Sequence, residues 1–376
     1  MLHFLIADNI PLAEEVFAPH GHIERFGGRD PEPRQLSKAE VLLVRSITAV
    51  NEQLLQYATN LQFVGTATIG TEHLDTKALE KRGIPWVGSP GANADSVGEY
   101  VLTALFALAA KLEWPLSDKR VAIVGAGHTG LATGRRLAAL GLQVDYFDPP
   151  RAQAEPDFKS IAWEGVLAAD IISLHVPLTT SGSAKTQHLF DTAALDQLTS
   201  KQILVNASRG AVIDNQALLK RQQKNPLPLI LDVWEGEPNV LTKLIDHTHI
   251  ATPHIAGHSL NGKIRGTQML YDACRAQFNW RQKEPNWAEL FPAPPVTDWH
   301  CARMPSHAQL SQWLLENYDI WRDDHSMRTH GTDAAGFDHL RRSYPVRFEL
   351  CSRTLHVADS VTETARQRLH DLGFNF

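Results

Sequence analysis

Short apolar runs rich in branched residues punctuate this chain. Residues 4–7, 41–44, 63–65 and 84–87 form a first series, and residues 121–124, 144–147, 171–175, 203–206, 229–232 and 249–252 a second. Runs this short, with little alternation, predict strands buried on both faces of parallel sheets. Helix-like spacing fills the intervals, for example over residues 51–58 and 131–140. Strand–helix–strand order of this kind predicts an α/β fold. Between the two series, the turn-forming Ser89-Pro-Gly-Ala-Asn93 precedes an alanine-rich apolar stretch at residues 94–111. That stretch predicts one long buried helix crossing from a first domain to a second. A further helix is expected from residue 261 towards 278, after which Leu290-Phe-Pro-Ala-Pro-Pro295 marks a boundary. Beyond it the chain turns to Trp, His and Arg, with helices expected at 308–317 and 361–372 and a strand at 347–350.

A length of 376 residues exceeds one ordinary core, so two or three domains are expected. With 43% hydrophobic and 21% charged residues the composition is that of a soluble globular protein. The net charge of −6 argues against non-specific nucleic-acid binding. No uninterrupted apolar run is long enough to span a bilayer, and the first eight residues read as a strand rather than a targeting segment. Cys274, Cys301 and Cys351 are far apart and lack metal-ligand spacing, which points to a reduced, cytoplasmic chain.

Candidate chemistry enters at Val121-Ala-Ile-Val-Gly125-Ala-Gly127-His-Thr-Gly130, whose following helix and strand end at Asp148. An apolar strand, Gly-x-Gly-x-x-Gly, a helix, a second strand and an acid arrive in the register that holds a dinucleotide. Gly125 permits the tight turn, Gly127 lets the backbone approach the pyrophosphate, and Gly130 lets helix and strand pack closely. The helix N-terminus offers free N–H groups and a positive dipole end to the phosphates. Asp148 can accept hydrogen bonds from the adenosine ribose and repels a 2′-phosphate, which favours NAD over NADP. Arg151 points the other way, but Pro149-Pro150 separates it from the acid.

Three polar residues follow later strands. Arg209 lies in Asn206-Ala-Ser-Arg209-Gly210, Glu237 in Gly236-Glu237-Pro238, and His254 in Pro253-His254-Ile-Ala-Gly257. All three therefore fall on loops at one sheet edge, beside the expected nicotinamide. Each has a bland reading alone: a surface ion pair, a turn, one of 18 mostly structural histidines. His247, His249, His254 and His258 also cluster in sequence, but no acid or cysteine completes a usual ligand spacing, and no metal is expected.

With these loops the chain resembles the D-isomer-specific 2-hydroxyacid dehydrogenases over residues 1–285. The resemblance implies that Arg209 binds substrate, that His254 is the catalytic histidine, and that Glu237 is its partner. Gly65-Thr-Ala-Thr68-Ile-Gly70 resembles the family's substrate-carboxylate loop. Thr199-Ser-Lys-Gln202 departs from the Lys-Pro-Gly of many members, at a surface turn. The chemistry agrees with these roles. A histidine titrates nearest neutrality, so His254 can act as base one way and acid the other. Glu237 bonded to it would fix its tautomer and favour the imidazolium. The planar fork of Arg209 suits a carboxylate or a developing carbonyl.

The extension carries Phe337-Asp-His-Leu-Arg-Arg342-Ser-Tyr344-Pro and Leu372-Gly-Phe-Asn-Phe376, and is similar to that of one branch of the family, the erythronate-4-phosphate dehydrogenases. That resemblance implies NAD-dependent oxidation of 4-phospho-D-erythronate and a homodimer formed through the extension. It implies substrate contacts from Ser46, Thr68 and His258, the last often tyrosine in that branch. It adds Val176, Ala207, Ser208, Arg209, Asp232 and Gly257 to the cofactor site. Arg45 adjoins Ser46 and is the candidate for the phosphate. Arg341, Arg342 and Arg347 read instead as a solvated face or intradomain ion pairs. The expected organisation is a flavodoxin-like substrate domain (1–98 and 256–286), a Rossmann-type doubly wound NAD domain (99–255) and a small α+β dimerisation domain (287–376). Two alternatives remain open: a dehydrogenase for 3-phosphoglycerate or another D-2-hydroxy acid, and a dinucleotide-sensing binding protein.

Overall fold

The computed structural model describes all 376 residues, which form two compact units. One comprises Met1–Asn93 with Leu260–Ala293, the other Ala94–Ser259 with Pro294–Phe376. No helix is long and apolar enough to cross a membrane.

The first unit is built on five parallel strands: β1 (Leu2–Ala7), β2 (Gly21–Phe26), β3 (Val41–Val44), β4 (Phe63–Thr66) and β5 (Trp86–Val87). Their order, β2-β1-β3-β4-β5, is the flavodoxin-like one. Strands β3 and β4 are buried throughout, as unbroken apolar runs require. The hydrophobic pattern misses β2. It is an edge strand paired only with β1, so His22, Glu24 and Arg25 keep solvent contact and no apolar run is needed. The Leu260–Gln277 helix returns to this unit and sends Leu270, Tyr271 and Cys274 into its core. Burial pushes the Cys274 thiol well above its ordinary range, leaving it an inert apolar group.

The second unit holds six parallel strands: β6 (Arg120–Val124), β7 (Gln143–Phe147), β8 (Ile171–Leu174), β9 (Ile203–Asn206), β10 (Leu229–Leu231) and β11 (Ile250–Ala251). In the order β11-β10-β9-β8-β6-β7, the direction of winding reverses at β6. A crevice for ligand therefore opens at the carboxyl ends of β6 and β8. Register sharpens this: Val124 pairs with Leu174, Leu174 with Asn206, Asn206 with Leu231, and Leu231 with Ala251. Five strands thus end in one row, and their loops share one edge.

The Ala94–Leu112 helix is buried along nearly its whole length. One core joins it to Val121, Ile171 and Ile203 of the sheet and to Trp299, Trp313, Leu369 and Phe374 of the extension. A helix covered on both sides must be apolar all round, which explains its alanine-rich, weakly patterned sequence.

In the extension, β12 (Trp299–Cys301) pairs in parallel with β13 (Leu355–Val357), beside helices at His307–Asn317, Ile320–His330, Ala334–Arg342 and Glu363–Leu372. The strand expected at residues 347–350 is absent. Arg347-Phe-Glu349-Leu350 alternates in polarity but not in exposure, since all four residues are buried. Side chains take the place of a neighbouring strand. The Leu350 N–H donates to the Glu99 carboxyl group at 3.0 Å, and Ser259 Oγ donates to Glu349 at 2.6 Å. Arg347 donates to Ser96 Oγ and to the Ala256 carbonyl, each at 2.6 Å. A buried ionic network imitates the period of a strand.

Candidate active site

Strand β6 ends at Val124, and the glycine loop follows. Gly125 has φ 94°, and a Cβ there would meet the His175 backbone at 2.8 Å. The turn can therefore pass close under the end of β8 only as glycine. Gly127 caps the His128–Ala139 helix, and a Cβ on it would enter open space over the helix N-terminus. A Cβ on Gly130 would run into the Gly125 carbonyl, so strand and helix are as close as backbone allows. Asp148 accepts from the Ala126 N–H at 2.8 Å and the Arg151 N–H at 3.1 Å, tying the end of β7 to the loop. Arg151 donates to the Ala126 carbonyl at 2.7 Å and to Glu155 at 2.9 Å. The open cradle, the helix N-terminus and the acid fit a dinucleotide. Val176 sits just beyond β8 and packs beside Gly125. His175, behind the loop, is pushed down by burial to about 3 and bonds Ser173 Oγ at 2.8 Å, a neutral structural histidine.

The loop after β9 is held by Asn206. Its Oδ1 accepts from the Ser208 N–H at 3.1 Å and Oγ–H at 2.8 Å, and its Nδ2 donates to the Arg209 carbonyl at 3.0 Å. Ala207 is packed against the sheet core. A Cβ on Gly210 would collide with the Trp234 backbone, so the loops carrying Arg209 and Glu237 lie against each other. Composition carries no hint of the role of Asn206, but the Asn-x-x-Arg spacing does.

His254 Nδ1 is hydrogen-bonded to Glu237 Oε1. The other Glu237 oxygen accepts from the Trp234 N–H at 3.1 Å. Burial pushes the Glu237 carboxyl up, but the charge and hydrogen bond of His254, the charge of Arg341 and the Trp234 N–H outweigh it, leaving it below the usual carboxylate range. The pair keeps some solvent access, with side-chain exposures of 28% for His254 and 22% for Glu237. With Nδ1 committed, Nε2 is the nitrogen that can meet a substrate.

His254 has φ 56°, in the left-handed region, which costs on the order of 1–3 kcal/mol unless its surroundings hold it. Asp232 holds it. The Asp232 carbonyl accepts from the His254 N–H at 2.7 Å. Its carboxylate accepts from Thr252 Oγ1 at 2.7 Å, the Ile255 N–H at 2.8 Å and the Ala256 N–H at 3.0 Å. Asp232 is 1% exposed. Thr252 Oγ1 also meets the Tyr100 hydroxyl at 2.7 Å, and its carbonyl accepts from Trp234 Nε1 at 2.9 Å. Gly257 follows this clamped turn, and the His258 N–H donates back to the Ile255 carbonyl at 2.8 Å.

The histidines of residues 247–258 face different partners. His249 Nδ1 accepts from the Leu229 N–H at 3.3 Å, and His258 meets the Tyr344 ring edge-on at 5.7 Å. Asp298, His300 and His356 bring ligand-type atoms within 4.8 Å at the exposed face of β12 and β13. His300 and His356 are register partners on the two strands with rings stacked 4.8 Å apart, and His300 is hydrogen-bonded to Asp298 at 2.8 Å.

In the first unit, Arg45 and Ser46 follow β3 and Thr68 follows β4, its parallel neighbour. Thr68 Oγ1 meets Thr66 Oγ1 at 2.8 Å and donates to the Gly70 carbonyl at 2.9 Å, and its own carbonyl accepts from the Ser89 N–H at 2.9 Å. Adjacent strand ends therefore bring Arg45, Ser46 and Thr68 to one edge of that sheet.

A family model for the D-isomer specific 2-hydroxyacid dehydrogenase, NAD binding domain, matches residues 105–256. A second, for a domain of unknown function (DUF3410), matches residues 290–373. An erythronate-4-phosphate dehydrogenase of Idiomarina loihiensis is 48% identical over 350 residues, covering 90% of each chain. One from Tolumonas auensis is 43% identical over 378 residues, covering 100% of this chain and 99% of its own. Among solved structures, the D-lactate dehydrogenase of Aquifex aeolicus, complexed with NAD and lactic acid, shares the fold with a TM-score of 0.59 at 22% identity, covering 73% of this chain and 95% of its own. Full-length identity of this order, on top of the glycine loop and the Arg209, Glu237 and His254 loops, means that the chain belongs to the D-isomer-specific 2-hydroxyacid dehydrogenase family, beside its erythronate-4-phosphate dehydrogenases.

Proposed function

We propose that this protein oxidises 4-phospho-D-erythronate to (R)-3-hydroxy-2-oxo-4-phosphobutanoate in pyridoxal 5′-phosphate biosynthesis. The observation that carries this is the His254–Glu237 pair beside the Arg209 loop, in a chain alike end to end with dehydrogenases of that name. NAD, when bound, supplies the acceptor for the C2 hydride. His254 Nε2 takes the C2 hydroxyl proton as the carbonyl forms, and Glu237 stabilises the resulting imidazolium. Arg209 grips the carboxylate and the developing carbonyl oxygen. In the reverse direction His254 returns the proton as acid.

Ser46, Thr68 and His258 hold the substrate, and Arg45 takes its phosphate. Gly125, Gly127 and Gly130 admit the pyrophosphate to the helix N-terminus, and Asp148 takes the ribose. Val176, Ala207, Ser208, Asp232 and Gly257 complete the cofactor site, where Asp232 lines the edge and its main work is to hold the His254 turn. The protein acts in the cytoplasm as a homodimer formed through residues 287–376.

The test is initial-rate NADH formation with 4-phospho-D-erythronate against 3-phospho-D-glycerate, glycerate and D-lactate, with 2-oxo acid controls and a His254→Ala protein alongside. Turnover confined to the phospho-erythronate and lost in the variant is expected. Faster turnover of 3-phosphoglycerate would reassign the substrate. Binding of dinucleotide without turnover of any acid would leave a sensor.

A further inference from the structure

The extension sends one helix to the segment that carries Glu237. Phe337, in the Ala334–Arg342 helix, is fully buried in one core with Trp234, Leu244 and Ile245. Just before that helix, the Thr332 carbonyl accepts from Thr242 Oγ1 at 3.3 Å. The helix is therefore docked on both sides of the Glu237 turn.

Arg341 lies four residues after Phe337, on the same helix face. Its guanidinium is 5.9 Å from the Phe337 ring, and its Nε is buried without a hydrogen-bond partner. Three residues later Tyr344 meets His258. Leu340, Ser343 and Tyr344 share a small cavity with Pro253, the residue before His254. The end of this helix thus follows the catalytic loop from its Glu237 side to its His258 side.

We propose that Arg341 is a positioning residue of the active site, held by its helix near the Glu237 turn so that its charge acts on the carboxylate that grips His254. This rests on the proposed role of His254 as the base. A cation with a buried, unpartnered N–H is expensive on a helix that could discard it, unless a nearby anion offsets the cost. Glu237 is that anion, and Arg341 acts on it in the same sense as His254 and the Trp234 N–H. Two cations that act on Glu237 thus come from different elements: His254 from the loop after β11, and Arg341 from the extension. The extension then contributes to the chemistry as well as to the core.

The test compares Arg341→Met and Arg341→Lys with the parent protein in two measurements. One is the pH dependence of kcat/KM for oxidation. The other is the titration of the His254 ring followed by NMR in the substrate-free protein. Removing the cation lets the Glu237–His254 pair hold its proton more tightly. In Arg341→Met both midpoints are expected to move up by about 0.5–1 unit, with kcat/KM about threefold to tenfold lower on the acid side. Arg341→Lys, which keeps the charge, should return close to the parent. A Met variant with a lower Tm and unmoved midpoints would reduce Arg341 to a packing residue and overturn the proposal. Should that variant not fold, Arg341→Gln carries the same reading. Because the titration needs no substrate, a shifted midpoint without turnover of 4-phospho-D-erythronate would fault the substrate assignment and leave Arg341 standing. An unmoved midpoint with normal turnover would fault Arg341 alone.

Discussion

Asp232→Asn exchanges one carboxylate oxygen for an amide N–H₂ in the clamp that holds the His254 loop. The carboxylate accepts three hydrogen bonds, from Thr252, Ile255 and Ala256. An asparagine carbonyl in the Oδ1 position keeps the first two, as neutral bonds. The Ala256 N–H then faces a donor. Losing a hydrogen bond to a charged acceptor costs about 1.5–3 kcal/mol, and weakening the other two about 0.5–1 kcal/mol each. Burying a neutral amide in place of a carboxylate returns about 1–2 kcal/mol. The net is about 0.5–4 kcal/mol, centred near 2 kcal/mol, similar to the strain held in His254. The turn should therefore relax locally before the fold does. A loss of about 2 kcal/mol in the population of the correct geometry means kcat/KM lower by about 30-fold. The assay is steady-state kinetics, with NAD dissociation followed by fluorescence and chemical denaturation on the same protein. NAD affinity should change by less than about threefold, since the predicted damage is to His254 placement. A variant with near-normal kcat and a collapsed NAD affinity would refute the clamp and make Asp232 a direct cofactor ligand.

Glu99 supplies a test by pH. Its burial and the nearby Glu349 charge, partly offset by Arg136, push its carboxyl up to about 8. The folded protein therefore keeps a proton that the unfolded chain releases, and stability falls as pH rises from the ordinary carboxylate range to about 8. Glu99→Gln should flatten that fall in Tm relative to the parent, and an unchanged slope would place the effect elsewhere. Arg45→Ala should raise KM for 4-phospho-D-erythronate far more than for erythronate, and equal losses on both substrates would remove Arg45 from the phosphate site.

Much of the site was legible because its logic is local. The glycine loop depends on backbone angles and close approaches within a few residues, and those requirements select glycine at Gly125 and Gly130. Arg209, Glu237 and His254 could be placed together because buried parallel strands read as apolar runs and their ends face one way. Other features have no local signature. The edge strand β2 shows little of the pattern, because only one neighbour covers it. The polarity of Arg347 to Leu350 suggested a strand, whereas Arg347 bonds Ser96 and Leu350 bonds Glu99, both across 251 positions.

The two parallel α/β sheets, the dinucleotide loop and the positions of the loops that carry Arg209, Glu237 and His254 could be read from the order of residues, since strand burial and backbone geometry act over a few neighbouring positions. Tertiary packing alone shows that Asp232 clamps the His254 turn, that Tyr100 reaches Thr252 across 152 positions, and that Phe337 of the extension shares a core with Trp234, close to Glu237. Those relations follow from which surfaces pack together, and packing of distant segments leaves no spacing in the sequence to read.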